Sequence, residues 1–374
     1  MINEDRKFLT MDANRGIAAI CVMLGHYFNY AGLALFTSAH VAVDFFFCLS
    51  GFIIAYSYED KLRCSRMTPS EFFVVRTIRL YPMYLIGTAI GVCGYFILDN
   101  FGASQVGNGR ALLATPFALL CLPVLFRVPV TFGREVVDDF IFPFNLPAWS
   151  LFFEVVVNVL YATIRWSKQG LYFVVATACI YFFMTTVRDG PSGFFISNFG
   201  GGLPRSVFCF SVGVLIFHLW ARKALHSVRI NPVVPCCCLL AVCLLPYSHI
   251  TFLLSVFIAV PFTVIASIQN PAGAIASRLF RVLGEVSYPV YTIHIPIYQL
   301  AQFAWNRVRG LPPSSSMPWP ALLITAAGVL LLALLLARWW DGPIRRRLHV
   351  RFRSGLGTSQ NSKAGTINNK AYSG

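Results

Sequence analysis

A chain of 374 residues with 57% hydrophobic residues, 12% charged residues and a mean hydropathy of +0.66 is not a soluble globular protein, because soluble domains carry about twice that charged share. The formal net charge of +15 raises nucleic acid as a partner, but the cations sit between apolar stretches of membrane-spanning length, the pattern of a membrane protein's orientation signal. No segment between those stretches is long or polar enough for a soluble domain, so one polytopic domain is expected over 1–348, followed by a polar, disordered cytoplasmic tail over 349–374.

Met1 to Asn14 contain no apolar h-region, so no signal peptide is expected before the first span. Spans are predicted near 16–36, 41–57, 80–98, 147–164, 170–187, 203–221, 232–247, 249–268, 283–303 and 320–340, each close to the ~20 residues that cross a hydrocarbon core. The first carries Arg15 and His26. Eleven steps at about 100° return His26 to within roughly 20° of the Arg15 face, about 16 Å further along the axis. An ionisable side chain at that depth is costly and a functional candidate. The plainer readings are a hydrogen bonder between helices for His26 and a helix-end anchor for Arg15, with Asp12 as its i, i+3 partner.

The second span holds Asp44 near its outer end, where Asp44 and His40 read equally as caps, and Ser50-Gly51 near its middle. Arg76 and Arg79 follow, one helical turn apart, suited to clamp phosphates jointly or to serve as positive-inside anchors. Pro82 is expected to start the third span. The stretch 111–126 is apolar but short and broken by Pro116 and Pro123, and reads as an outer loop or re-entrant segment. In the fourth span Ser150, Glu154, Asn158 and Tyr161 form a polar stripe, and in the ninth Ser287, Tyr291 and His294 form another. Counting from the span ends puts Glu154 about 10 Å below the outer surface and His294 about 16 Å deep, so His26, Glu154 and His294 are expected in one layer. Glu154 alone reads also as a proton-relay carboxylate, and His294 as a ligand of a backbone carbonyl.

The N-terminus, the 58–79 loop, the 165–169 turn, 222–231, 269–282 and everything from Arg338 hold 23 of the 30 Lys and Arg. That bias places both termini in the cytoplasm. The expected fold is therefore an all-α integral membrane bundle of about ten transmembrane helices. All eleven cysteines except Cys64 lie in apolar stretches and read as packing residues. With no CxxC pair and no HExxH, a zinc site has little support and no metal ligands are assigned.

Together the polar segments resemble acyltransferase family 3, the bacterial integral-membrane O-acyltransferases that modify surface glycans and some secreted small molecules. Met11-Asp-Ala-Asn-Arg15-Gly-Ile-Ala-Ala with His26 is similar to the family's opening, and Val43-Asp44 through Ser50-Gly51 to its second-helix signature. Arg76-Thr-Ile-Arg79 matches its Arg-x-x-Arg motif, and Trp149-Ser150-Leu-Phe-Phe-Glu154 its Trp-Ser-Leu-x-x-Glu segment. Ser287-Tyr288-Pro-Val-Tyr291-Thr-Ile-His294 resembles the late histidine helix, and Asp341-Gly-Pro343 the acidic-x-Pro ending. Ala13-Asn14, Thr292 and Asp341 depart from the usual residues without touching the Arg, His or Glu positions.

The resemblance implies a multi-pass enzyme of the bacterial inner membrane that moves an acyl group, acetyl first among the candidates, from cytoplasmic acyl-CoA to a glycan hydroxyl or a glycosylated small molecule. No permanently bound cofactor is implied. Arg76 and Arg79 would hold the CoA phosphates and Arg15 would line the donor path. His26 would be the general base or a transient acyl carrier, with Glu154 and His294 orienting it or the acceptor. A transporter or flippase using the buried His and Glu as a proton relay, and a non-catalytic membrane scaffold, are the rival classes. No nucleic acid is expected as a partner.

Overall fold

The computed structural model describes residues 8–100, 109–132, 135–164, 168–225, 228–270, 273–312, 315–352 and 354. Of the tail expected to be disordered over 349–374, residues 349–352 are helical, and the part beyond Phe352 lies, like the centre of the 165–169 turn, almost entirely outside the described residues. The regular structure of the described residues is helical apart from one small hairpin, in which Val130–Phe132 (β1) pairs antiparallel with Glu135–Val137 (β2), and an isolated bridge between Phe140 and Phe195.

The first three helices are Leu9–Tyr30 (α1), Val41–Arg63 (α2) and Pro69–Asn100 (α3). A short Gly109–Leu119 (α4) precedes the hairpin, and Ala148–Thr163 (α5), Lys168–Asp189 (α6) and Gly202–Ala221 (α7) follow it. Val233–Leu244 (α8) leads to His249–Leu254 (α9), which runs through a π turn at Ser255–Ala259 into Val260–Ala266 (α10). Ala274–Arg309 (α11) and Trp319–Leu336 (α12) complete the bundle, and a second π turn at Ala337–Asp341 carries α12 into a final helical segment, 342–352.

Among the described residues, six helical stretches are long and apolar enough to cross a membrane, and α5 and α8 are shorter apolar helices. The chain is an integral, multi-pass membrane protein. Backbone polar groups have no water to bond in hydrocarbon, which is why almost every apolar stretch is helical. The 11 residues of α4 cover only about 16 Å, too short to cross. Pro82 does not start a helix as expected; it lies inside α3, which begins at Pro69. Pro296 likewise lies inside α11 and cannot donate to the Thr292 carbonyl four residues back. That carbonyl instead accepts from Asn145 Nδ2 at 3.1 Å, so the segment before α5 repairs the proline's missing bond.

Two helix pairs run parallel and organise the site. Along α1 and α11, Gly16 faces Leu283, Gly284 faces Asp12, and His26 faces His294, so both chains climb in the same direction. Along α2 and α7, Asp44 meets Arg205 and Glu59 meets His218. Between those two contacts a Cβ on Gly51 would lie 1.9 Å from the Phe210 carbonyl oxygen, and one on Gly213 would lie 1.9 Å from that of Cys48. The two backbones touch where neither helix has a side chain, the small-residue packing that brings membrane helices closest.

Candidate functional site

A cavity of about 310 Å³ opens between α1, α2, α3, α5, α11 and the segment after α12. Its wall contains Arg15, Arg76, Arg79, Arg281 and Arg345, set against Asp12, Glu154, Glu285 and Asp341. Towards the other end the lining turns less charged, with Ser50, Ser150, Tyr288, Tyr291 and the rings of Phe46 and Phe47. All three arginines read from the sequence as donor ligands thus share one cavity.

Each arginine is fixed differently. Arg15 pairs with Asp12 at 3.3 Å, as the i, i+3 spacing suggested, and crosses to α11 by donating to the Gly284 carbonyl at 3.1 Å and to Ser287 Oγ at 3.4 Å. It is both an anchor and a wall of the cavity. Arg76 is 7% exposed and donates from Nη2 to Glu154 Oε1 at 2.7 Å, and the same oxygen accepts from Ser50 Oγ at 2.9 Å. Three helices therefore meet on one carboxylate. Arg79, one turn further along α3, is half-buried and pairs with no carboxylate among the described residues.

This arrangement overturns the expected layer of His26, Glu154 and His294. Glu154 sits with Arg76, not with the histidines. The span count assumed that α5 starts at the outer surface, yet residues 140–150 are all buried, so the helix begins inside the protein. Six more residues, about 9 Å of rise, carry Glu154 towards the arginine end. Because α3 already starts at Pro69, Arg76 lies about two turns inside its helix and meets Glu154 there.

His26 and His294 do come together, just past the cavity's Tyr291 end. Their rings stack with centroids 5.5 Å apart and planes inclined by 27°. The Tyr291 ring is 6.1 Å from that of His294, and its hydroxyl is 2.7 Å from Ser150 Oγ. His294 is fully buried, and its Nδ1 lies 3.0 Å from the Val290 carbonyl. A carbonyl only accepts, so Nδ1 carries the hydrogen, and in the neutral imidazole Nε2 then keeps a lone pair. That Nε2 has no hydrogen-bond partner among the described residues. His26 is half-buried, with Nδ1 3.2 Å from the Tyr30 hydroxyl. Tyr27 fastens the pair by donating to the His294 carbonyl at 2.8 Å.

The remaining polar residues separate from the site. Asp44 is not a cap. It is fully buried against Arg205, near the start of the span expected over 203–221, and the guanidinium also contacts the carbonyls of Ser192 and His40. The α5 stripe divides among neighbours: Ser150 to Tyr291, Glu154 to Arg76, and Tyr161 to Glu59. Asn158 is buried without a hydrogen-bond partner among the described residues. Sequence reasoning missed Arg281 and Arg345, counting them only as positive-inside charges; convergence from distant helices leaves no local signal. The Asp341-Gly-Pro343 ending was the one available pointer to that region.

A family model described as an acyltransferase domain, that of acyltransferase family 3, matches residues 8–338. Protein 2 in the picA locus of Rhizobium radiobacter is 33% identical over 172 residues, covering 44% of this chain and 84% of that protein. The exopolysaccharide production protein ExoZ of Rhizobium meliloti (strain 1021) is 25% identical over 266 residues, covering 69% of this chain and 76% of that protein. No solved structure matches the chain.

Proposed function

The chain belongs to acyltransferase family 3 and is a membrane acyltransferase, and we propose that it moves an acyl group, acetyl in the simplest case, from cytoplasmic acyl-CoA to a hydroxyl of an exported or cell-surface glycan. The observation that carries this reading is axial order. An arginine-lined cavity and a stacked histidine pair lie one beyond the other along the parallel helices α1 and α11. The first suits phosphate and the second suits proton transfer. A relative named for exopolysaccharide production supports a glycan as the acceptor.

On this reading the domain spans 1–348 in a bacterial inner membrane, with ten spans, both termini and the polar 349–374 tail in the cytoplasm. The bundle's geometry supports that orientation. Leu9 donates to Asn270, Phe8 packs on Trp220, and Arg15, Arg79, Arg281 and Arg345 line one cavity, so the cation-rich connections gather at one end. Arg76 and Arg79 hold the donor's phosphates and Arg15 guides its arm. A cavity of 310 Å³ is near the lower limit for ligand pockets, which fits the thioester arm inside and the nucleotide at the mouth.

His26 acts as general base. With its Nδ1–H donated to the Tyr30 oxygen, its Nε2 takes the proton of the acceptor hydroxyl as that oxygen attacks the thioester carbonyl. The new C–O bond forms, the C–S bond breaks, and the departing thiolate takes the proton from His26. His294 orients His26 through the stacked rings. Glu154 acts at a distance, by positioning Arg76.

The test is transfer of labelled acetyl from acetyl-CoA into polysaccharide by membranes with matched amounts of protein. Changing His26→Ala should lower the rate by about 10²–10⁴-fold, the usual contribution of a positioned base. Undiminished transfer by that variant overturns the role of His26. Absence of transfer by the wild type from acetyl-CoA, alongside transfer from another acyl carrier, overturns the donor.

A further inference from the structure

The arginines of the cavity are unequal in what they still have to offer. Asp12 and Glu154 already answer Arg15 and Arg76. Arg79 and Arg281 are in no ion pair among the described residues, although Glu285 lines the same cavity one turn beyond Arg281. Arg345 is a third case. Its Nη2 is 2.7 Å from Asp341 Oδ2, while its side chain remains 35% exposed against 3% for Asp341. One of its five N–H groups is engaged by the carboxylate, leaving the rest of the guanidinium fork available.

The backbone is built to place that pair. Helix α12 does not run straight into the final segment; it passes through the π turn Ala337–Asp341. The wider turn leaves Trp339 76% and Trp340 43% exposed while Asp341 is 2% exposed, facing into the cavity. Such single π turns are uncommon and concentrate at functional sites. Asp341 Oδ1 is buried without a hydrogen-bond partner among the described residues, so the buried carboxylate is spent on positioning Arg345 alone.

We propose that Arg345, aimed by Asp341, binds the phosphates of the donor together with Arg79 and Arg281, so that the segment after α12 forms one wall of the donor site. The proposal deepens the donor reading above and rests on it. Three guanidinium groups from three helices then surround a polyanion, each able to give bidentate contacts. Asp341 is a positioning residue.

The experiment compares two donors in membranes carrying the full chain: acetyl-CoA, and S-acetylpantetheine, which has the thioester arm without phosphate. For Arg345→Ala, KM for acetyl-CoA should rise about tenfold or more, as expected for loss of a charge-assisted contact, with kcat nearly unchanged. Turnover of S-acetylpantetheine should not move. Arg345→Lys should recover part of the affinity, and Asp341→Asn should raise the acetyl-CoA KM by a smaller factor. If Arg345→Ala does not fold, adenosine 3′,5′-bisphosphate should still inhibit Arg345→Lys less strongly than wild type. Equal loss with both donors, or no change with either, overturns the role of Arg345. A wild type that uses the two donors with equal kcat/KM overturns phosphate recognition itself, and with it the donor reading.

Discussion

The Arg205–Asp44 pair offers the sharpest test of which buried charges hold the bundle rather than serve the reaction. Both side chains are fully buried, and the guanidinium donates from Nε and Nη2 to the two carboxylate oxygens at 2.7 Å each. It also donates to the Ser192 carbonyl at 3.1 Å and the His40 carbonyl at 3.2 Å, and lies over the rings of Trp149 and Phe252. Changing Arg205→Leu leaves a carboxylate uncompensated inside the bundle. Two charge-assisted bonds at about 1.5–3 kcal/mol each, or the roughly 3–5 kcal/mol typical of a broken buried pair, both put the loss near 4 kcal/mol. Replacing Asp44→Leu as well removes the stranded charge and should return most of that stability, because a well-packed apolar substitute for a buried pair is often close to neutral. Equilibrium unfolding in one fixed detergent, run as a double-mutant cycle, measures the coupling directly. Acyl transfer per folded molecule should stay at the wild-type level. A single-variant loss below about 1 kcal/mol, or a double variant no better than the sum of the singles, would refute the reasoning.

Glu154→Ala strands Arg76, which is 7% exposed, and should cost about 3 kcal/mol in the same unfolding assay. Glu154→Gln, which can still accept from Ser50 and Arg76, should cost clearly less; equal losses would mean that the charge is not what holds Arg76. At Gly51 even a Cβ would sit 1.9 Å from the Phe210 carbonyl, so Gly51→Ala should destabilise by at least the roughly 1–3 kcal/mol of an overpacked core. Gly328→Ala on α12, where nothing lies within 4 Å, is the matched control and should be nearly silent. Similar folded yields for the two variants would show that α2 and α7 separate easily.

Helix positions were largely legible because membrane spans announce themselves by length, but two of the site-bearing helices are instructive. Neither α1 nor α11 is among the six stretches apolar enough by composition to cross a membrane. Their polar residues, Asp12, Arg15 and His26 on one and Ser287, Tyr291 and His294 on the other, lower their hydropathy because they face each other and the cavity. Helical periodicity therefore displayed this half of the site, including the shared level of the two histidines. Glu154 was misplaced because counting depth treats every span as starting at a surface, and α5 starts beneath one. Arg205 and Arg345 were hidden for a different reason. A charge near a span end contributes the same to a topology count whether it faces water, a buried carboxylate or a ligand. What distinguishes Arg205 is a carboxylate partner 161 residues away, Asp44, and a π turn brings Asp341 and Arg345 inward.

The parallel run of α1 and α11 has a consequence for energetics. Arg15 and His26 are about 16 Å apart along a rigid rod, and α11 holds Leu283 and His294 at matching heights beside it. With the proposed donor and orientation, the heavily charged nucleotide would never leave the aqueous phase it came from. Only an uncharged acyl fragment would cover the remaining distance, tethered to its flexible arm. Such a catalyst would need no pump and no rocking of domains to make a vectorial product. Cleavage of the donor thioester would drive the net outward movement, with the helical scaffold as a fixed ruler between two compartments.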